Sequence, residues 1–203
     1  MPGQGDLANY LERTGEAVKR VTSSVILVGH SQGGMVITAA AERFADRIAG
    51  LVYVAAFLPK SGQSIVDILR ENKVRMPLPY LNVSADRAWT TARAEAVREY
   101  LYHDCPEELC LRALKLLRPE PMALSTGKVT TTAERFGRIP RAYIECLEDR
   151  AIPIALQRAM HAATPCAPVL SLPGGHARFF AGPEPLVEML HTLAGEMAPP
   201  STH

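Results

Sequence analysis

The stretch "SVILVGHSQGG", residues 24–34, runs four apolar residues directly into a serine boxed by glycines, and nothing else in the chain restricts the fold as much. Val25 to Val28 is short, β-branched and apolar on both faces, the pattern of a strand buried in a parallel sheet. At Gly29-His30-Ser31-Gln32-Gly33 the chain must then leave the strand and enter a helix within one residue. Such a turn strains its central residue and pushes the Ser31 hydroxyl into the open, with glycines at 29 and 33 relieving the crowding. The serine stands at a helix N-terminus, where N–H groups and the dipole favour a developing negative charge. The plain alternative is a Gly-rich turn that only joins strand to helix. A phosphate-binding loop is disfavoured because GxxxxGK[ST] is absent.

The remaining pattern fits that start. Leu7, Tyr10, Leu11, Ala17, Val18 and Val21 have helical spacing behind Asp6 as N-cap. Gly33 to Ala49 reads as the helix after the serine, ending near Gly50. "GLVYVAAFLP" (50–59) reads as the next buried strand, and "RAYIECL" (141–147) and "APVLSL" (167–172) as two more. "EPLVEMLHTLAGEM" closes the chain as an amphipathic helix, and the tail "APPSTH" is expected to be disordered. Alternating strand and helix implies an α/β fold with a parallel sheet. Between Ser61 and Ile139 the pattern changes to helical stretches near 86–102 and 106–117 with no convincing strand. The expected organisation is a core of residues 1–60 and 140–203 with a helical cap, 61–139, inserted between them.

A serine hydroxyl is a poor nucleophile until a base takes its proton. Of the six histidines, His203 is in the tail, His191 and His161 sit in helical stretches, His103 falls in the cap, and His30 adjoins the serine with its ring expected elsewhere. His176 in "LSLPGGHARFF" follows an apolar strand in a glycine-flanked loop, from which its ring can reach toward Ser31. The orienting acid should end an earlier strand, and "AYIECLEDRAIP" puts Glu148 and Asp149 there. Strand alternation favours Asp149, with Glu148 pointing away. The order Ser, Asp, His is that of α/β-hydrolases.

Bulk properties exclude several classes. The 203 residues are 47% hydrophobic and 21% charged, enough for one domain burying roughly 70% of its unfolded surface. Lys plus Arg number 22 against 21 acidic residues, without runs of like charge, so neither nucleic acid nor an anionic membrane is the expected partner. A small molecule is. With a polar opening stretch and no apolar run near a membrane span, the expected location is the cytoplasm. Cys105, Cys110, Cys146 and Cys166 are too scattered for a zinc site or a disulfide framework and are read as reduced thiols.

"GHSQGG", "GLVYVAAFLPKSGQS", "CPEELCLRALKLLRP", "ERFGRIPRAYIECLEDRAIPIALQ" and "PGGHA" together give the chain a specific resemblance. From about Pro2 to Met197 it resembles the α/β-hydrolase family of plant methylesterases, the salicylate-binding esterase and hydroxynitrile lyases, with their bacterial esterase relatives. The resemblance implies Ser31 as nucleophile, Asp149 as acid, His176 as base, the Gln32 N–H as an oxyanion donor, and a helical cap over the pocket. The expected reaction is ester hydrolysis through an acyl-enzyme, with no cofactor or metal, and the apolar residues of the cap point to a small or medium hydrophobic ester. Pocket candidates are His30 and the cap residues Met76, Leu78, Leu81, Trp89 and Met122, any of which could instead be core packing.

Lyases of the family carry a cysteine after the serine and a lysine after the histidine. Gln32 and Ala177 stand there, which makes cyanohydrin cleavage the weaker expectation. A binding protein, or a cyclase-like protein of natural-product chemistry on the same fold, is the alternative. Family members also have a longer segment before the nucleophile, which supplies the opening strands and a second oxyanion donor. The expected sheet is therefore N-terminally shortened, with the strand near Val25 at its edge and open to self-association. A late gene start, a natural truncation and a non-catalytic remnant are the three readings of that difference.

Overall fold

The computed structural model describes residues 6–197. The expected disordered tail and His203 lie outside the described residues. Helix α1 (Leu7–Lys19) starts on Asp6, whose carboxylate accepts the Asn9 N–H at 3.0 Å. Strand β1 (Val25–His30) leads through the serine turn into α2 (Gly33–Arg43). A short 3-10 turn, Ala45–Arg47, then delivers β2 (Ile48–Val54). The expected helix to Ala49 is thus too long. Ile48 is taken by the parallel ladder, opposite Val25, and tertiary pairing overrides local helical preference there.

The excursion away from the sheet holds α3 (Ile65–Glu71), β3 (Leu81–Val83), β4 (Trp89–Ala92), α4 (Ala94–Leu101), α5 (Glu107–Leu116), β5 (Glu120–Pro121) and α6 (Met122–Thr126). The chain returns through β6 (Arg141–Cys146), α7 (Ile154–Ala163), β7 (Val169–Leu172), α8 (Arg178–Ala181) and α9 (Glu184–Met197). The reading of residues 61–139 as helical without strands is corrected here. β3, β4 and β5 form a small antiparallel sheet, and the helix expected from 86 begins only at Ala94. The β3–β4 turn is closed by Ser84, whose hydroxyl donates to Asp86 and whose N–H donates to the Trp89 carbonyl. Strands of two to four residues are too short to leave a periodicity to read.

The main sheet is parallel, in the order β1-β2-β6-β7. Its central strands show why their sequence is apolar without alternation. Leu51, Tyr53 and Tyr143 face one core with Met35 and Ile37 of α2 and Leu156 and Met160 of α7. Val52, Val54, Ala142 and Ile144 face the other, under Leu186 and Leu193 of α9. Both faces are covered, as a parallel sheet requires. β1 lies at the edge of the sheet, and Val28 on it is 48% exposed.

Tyr143 fixes the chain where it leaves β2, and Tyr53 ties that strand to α2. The Tyr143 hydroxyl donates to the Ala56 carbonyl at 2.8 Å and accepts the Ala56 N–H at 3.0 Å, while the Tyr53 hydroxyl bonds Thr38 at 2.7 Å. Their rings stack with centroids 6.3 Å apart. The segment that Tyr143 holds at Ala56 is the neighbour of the serine turn. All four cysteines are free. Among the described residues no helix is long and apolar enough to cross a membrane.

Candidate active site

Ser31 has φ of +54°, in the left-handed region that a residue with a Cβ avoids unless its surroundings impose it. Those surroundings are backbone. The Ser31 carbonyl accepts the Phe57 N–H at 2.9 Å and the Gly34 N–H at 3.2 Å, and the Ser31 N–H donates to the Val54 carbonyl at 3.4 Å. A Cβ on Gly29 would lie 2.9 Å from the Gly33 carbonyl oxygen, so that glycine relieves crowding as expected. Gly33 does not: a Cβ there would meet nothing within 4 Å. The crowded position is Gly34, where a Cβ would sit 2.0 Å from the Phe57 carbonyl oxygen, because the first turn of α2 runs against the chain leaving β2.

His176 follows β7, and Asp149 follows β6. His176 Nδ1 lies 2.8 Å from Asp149 Oδ2, and both residues are buried. The other Asp149 oxygen accepts the Ala151 N–H at 2.7 Å and the Ile152 N–H at 2.9 Å, which fixes the carboxylate in place. An N–H at Nδ1 directed at a carboxylate leaves the ring's lone pair on Nε2, the arrangement a general base needs. Glu148 is exposed, but it lies in the turn after β6, next to the also exposed Leu147, so strand alternation does not account for it.

Ser31, Gln32 and His176 line one cavity of about 340 Å³, together with His30, Leu78 and Leu81. No protein hydrogen bond engages the Ser31 hydroxyl among the described residues, so the expected contact with His176 is not made, although both residues line the same cavity. Of the other pocket candidates, Met76 and Met122 line a neighbouring cavity of about 400 Å³, which shares Ile65, Leu78, Leu81, Thr90 and Ser125 with the first. Trp89 lines neither. It pairs with Pro121 across the small sheet. Sequence reasoning missed Glu120, which burial pushes above the usual carboxylate range and which accepts a hydrogen bond from the Gln32 side chain. Its place between Pro119 and Pro121 gave no signal, since only the β4–β5 pairing brings it to the cavity.

His30 is corrected in one respect. Its ring does not point away from the site: it lies 4.4 Å from the His176 ring and 5.0 Å from Phe179, and Nε2 donates to the His176 carbonyl at 2.9 Å. Burial, aided by the neighbouring His176, pushes its imidazole down to about 3. The folded chain therefore keeps His30 neutral where the unfolded chain, titrating near 6.5, takes up a proton. Stability falls as pH drops between those two values, by about 1.4 kcal/mol per pH unit from this group. Urea unfolding of wild type and His30→Gln at pH 4, 5 and 6 checks this. The variant is expected to show a shallower slope, and parallel curves would contradict it.

The chain has clear relatives. A family model described as the alpha/beta hydrolase family matches residues 2–189. The chain is 32% identical over 183 residues to methylesterase 17 of Arabidopsis thaliana, covering 82% of this chain and 64% of that protein. It is 30% identical over 207 residues to a pyrethroid hydrolase of Sphingobium wenxiniae, covering 95% and 74%. It spans only 40% and 52% of the length of two chloroplastic methylesterase relatives from Arabidopsis. Among solved structures, tomato methylketone synthase I complexed with 2-tridecanone superposes with a TM-score of 0.84 over 96% of this chain and 80% of that one. At 21% identity that likeness shows the fold alone.

Proposed function

The chain belongs to the alpha/beta hydrolase family, and on that premise we propose that it hydrolyses hydrophobic carboxylic esters through an acyl-enzyme on Ser31. The observation that carries this reading is the buried His176–Asp149 pair, 2.8 Å apart, whose histidine lines the same cavity as Ser31. His176 Nε2 takes the Ser31 proton as Oγ attacks the ester carbonyl, and Asp149 holds the ring and stabilises its cationic form. The oxyanion is received by the Gln32 N–H at the start of α2, where the helix dipole favours negative charge. The imidazolium then protonates the leaving alcohol, and water, activated by the same base, releases the acid.

Substrate class follows from the cavity wall. Phe57, Leu78, Leu81 and Phe179 offer apolar surface, which favours an ester with an aliphatic or aromatic body. The names of the relatives, methylesterase and pyrethroid hydrolase, are consistent with ester substrates of this kind. The test combines turnover of a p-nitrophenyl ester series with labelling by a fluorophosphonate probe. The expected result is turnover of short and medium esters, with the probe's mass added to the peptide containing Ser31. Absence of both, or a label on another residue, would overturn the proposal.

A further inference from the structure

The loop that carries His176 is gripped from above by residues 102–105, which join α4 to α5. Asp104 Oδ2 accepts the Gly175 N–H at 2.7 Å and lies 3.6 Å from Arg178 Nη1. The side chains of that ion pair are only 18% and 17% exposed. Beside it the Cys105 thiol approaches the Ala177 carbonyl at 3.9 Å, and the Tyr102 ring lies 6.1 Å from Phe180. Contacts from one short segment thus fall on both sides of His176.

The two glycines before His176 record how close this approach is. A Cβ on Gly175 would sit 2.5 Å from His103 Cε1 and 2.7 Å from Asp104 Oδ1, and one on Gly174 would sit 2.9 Å from Asp104 Oδ2. Gly174 has φ of +114° and needs glycine for that reason as well, whereas Gly175 is not among the positive-φ residues. What requires glycine at 175 is the arriving cap segment. From below, the Glu148 N–H donates to the Gly174 carbonyl at 2.9 Å, which ties the loop to the residue before Asp149. The loop is therefore pinned at 174 to the turn after β6 and at 175 to the cap.

We propose that Asp104 is a positioning residue that fixes the backbone one residue before His176 and so makes the place of that ring depend on the seating of the cap. The inference rests on the ester-hydrolase reading of His176. Asp104 touches neither substrate nor reacting atoms; it acts through the Gly175 N–H, and a small misplacement of a reacting group is costly in rate.

The test is hydrogen exchange over residues 173–178 together with ester kinetics, for Asp104→Ala and Asp104→Asn. The alanine variant is expected to exchange the Gly175 amide at least about 10-fold faster and to lose about 10- to 100-fold in kcat with KM within about twofold. Asparagine keeps an oxygen that can accept the Gly175 N–H, and is expected to recover most of both losses. Should the alanine variant fail to fold, Gly175→Ala, which displaces the carboxylate from the other side, is expected to give the same kcat loss with KM held. Unchanged loop exchange in Asp104→Ala, or equal impairment in the alanine and asparagine variants, would overturn the proposal. The exchange result stands even if wild type turns over no ester, so failure of the latch and failure of the hydrolase reading are distinguishable.

Discussion

Replacing Ser31 by alanine is expected to lower kcat for ester hydrolysis by about a million-fold while leaving the fold intact, because nucleophile and base act as one unit. The two halves of that expectation have separate causes. The hydroxyl makes no protein hydrogen bond among the described residues, so its removal orphans no partner. What holds the turn is main chain: the bonds from Ser31 to Phe57, Gly34 and Val54 survive the substitution, and alanine occupies φ of +54° at much the same cost as serine. Thermal unfolding should therefore coincide with wild type, and fluorophosphonate labelling should vanish. Residual turnover within tenfold of wild type, in a preparation free of contaminating esterase, would remove Ser31 from the mechanism.

What the sequence disclosed followed the range of the interactions involved. The strands near residues 25, 51, 142 and 168 were legible because a parallel sheet covered on both faces demands apolar runs such as Leu51–Val54. The serine turn was legible because its glycines and serine fall within five residues, although the bonds that hold it come from Val54 and Phe57. Long-range pairing erased the rest. Ile48 left its helix to meet Val25, and Trp89 left the expected helix and pocket to pair with Pro121. Glu120 reached the cavity through that same pairing. The glycines teach the same lesson from the other side. The pair at 33 and 34 is indistinguishable in sequence, yet only Gly34 faces the chain leaving β2, and Gly175 is set by residues 103 and 104, some seventy residues earlier.

The second large effect belongs to Asp149, where asparagine tests the chemistry more cleanly than alanine. The side chain has two tasks on two oxygens: one oxygen accepts the Ala151 and Ile152 amides, and the other faces His176 Nδ1. Asparagine can keep the first task with its carbonyl oxygen. Its NH₂ group must then point at Nδ1, which can receive that donor only as an acceptor, so the ring proton moves to Nε2. An imidazole protonated at Nε2 cannot take the Ser31 proton. The expected result for Asp149→Asn is a loss of about 10⁴-fold in kcat with little change in melting temperature. Asp149→Ala should lose activity and also stability, by about 1–3 kcal/mol for each buried N–H left without an acceptor. Glu148→Gln, on the exposed neighbour, should change kcat less than twofold. If Asp149→Asn retained more than a tenth of wild-type kcat, the buried pair would be a structural ion pair and the base would have to be sought elsewhere on the cavity wall.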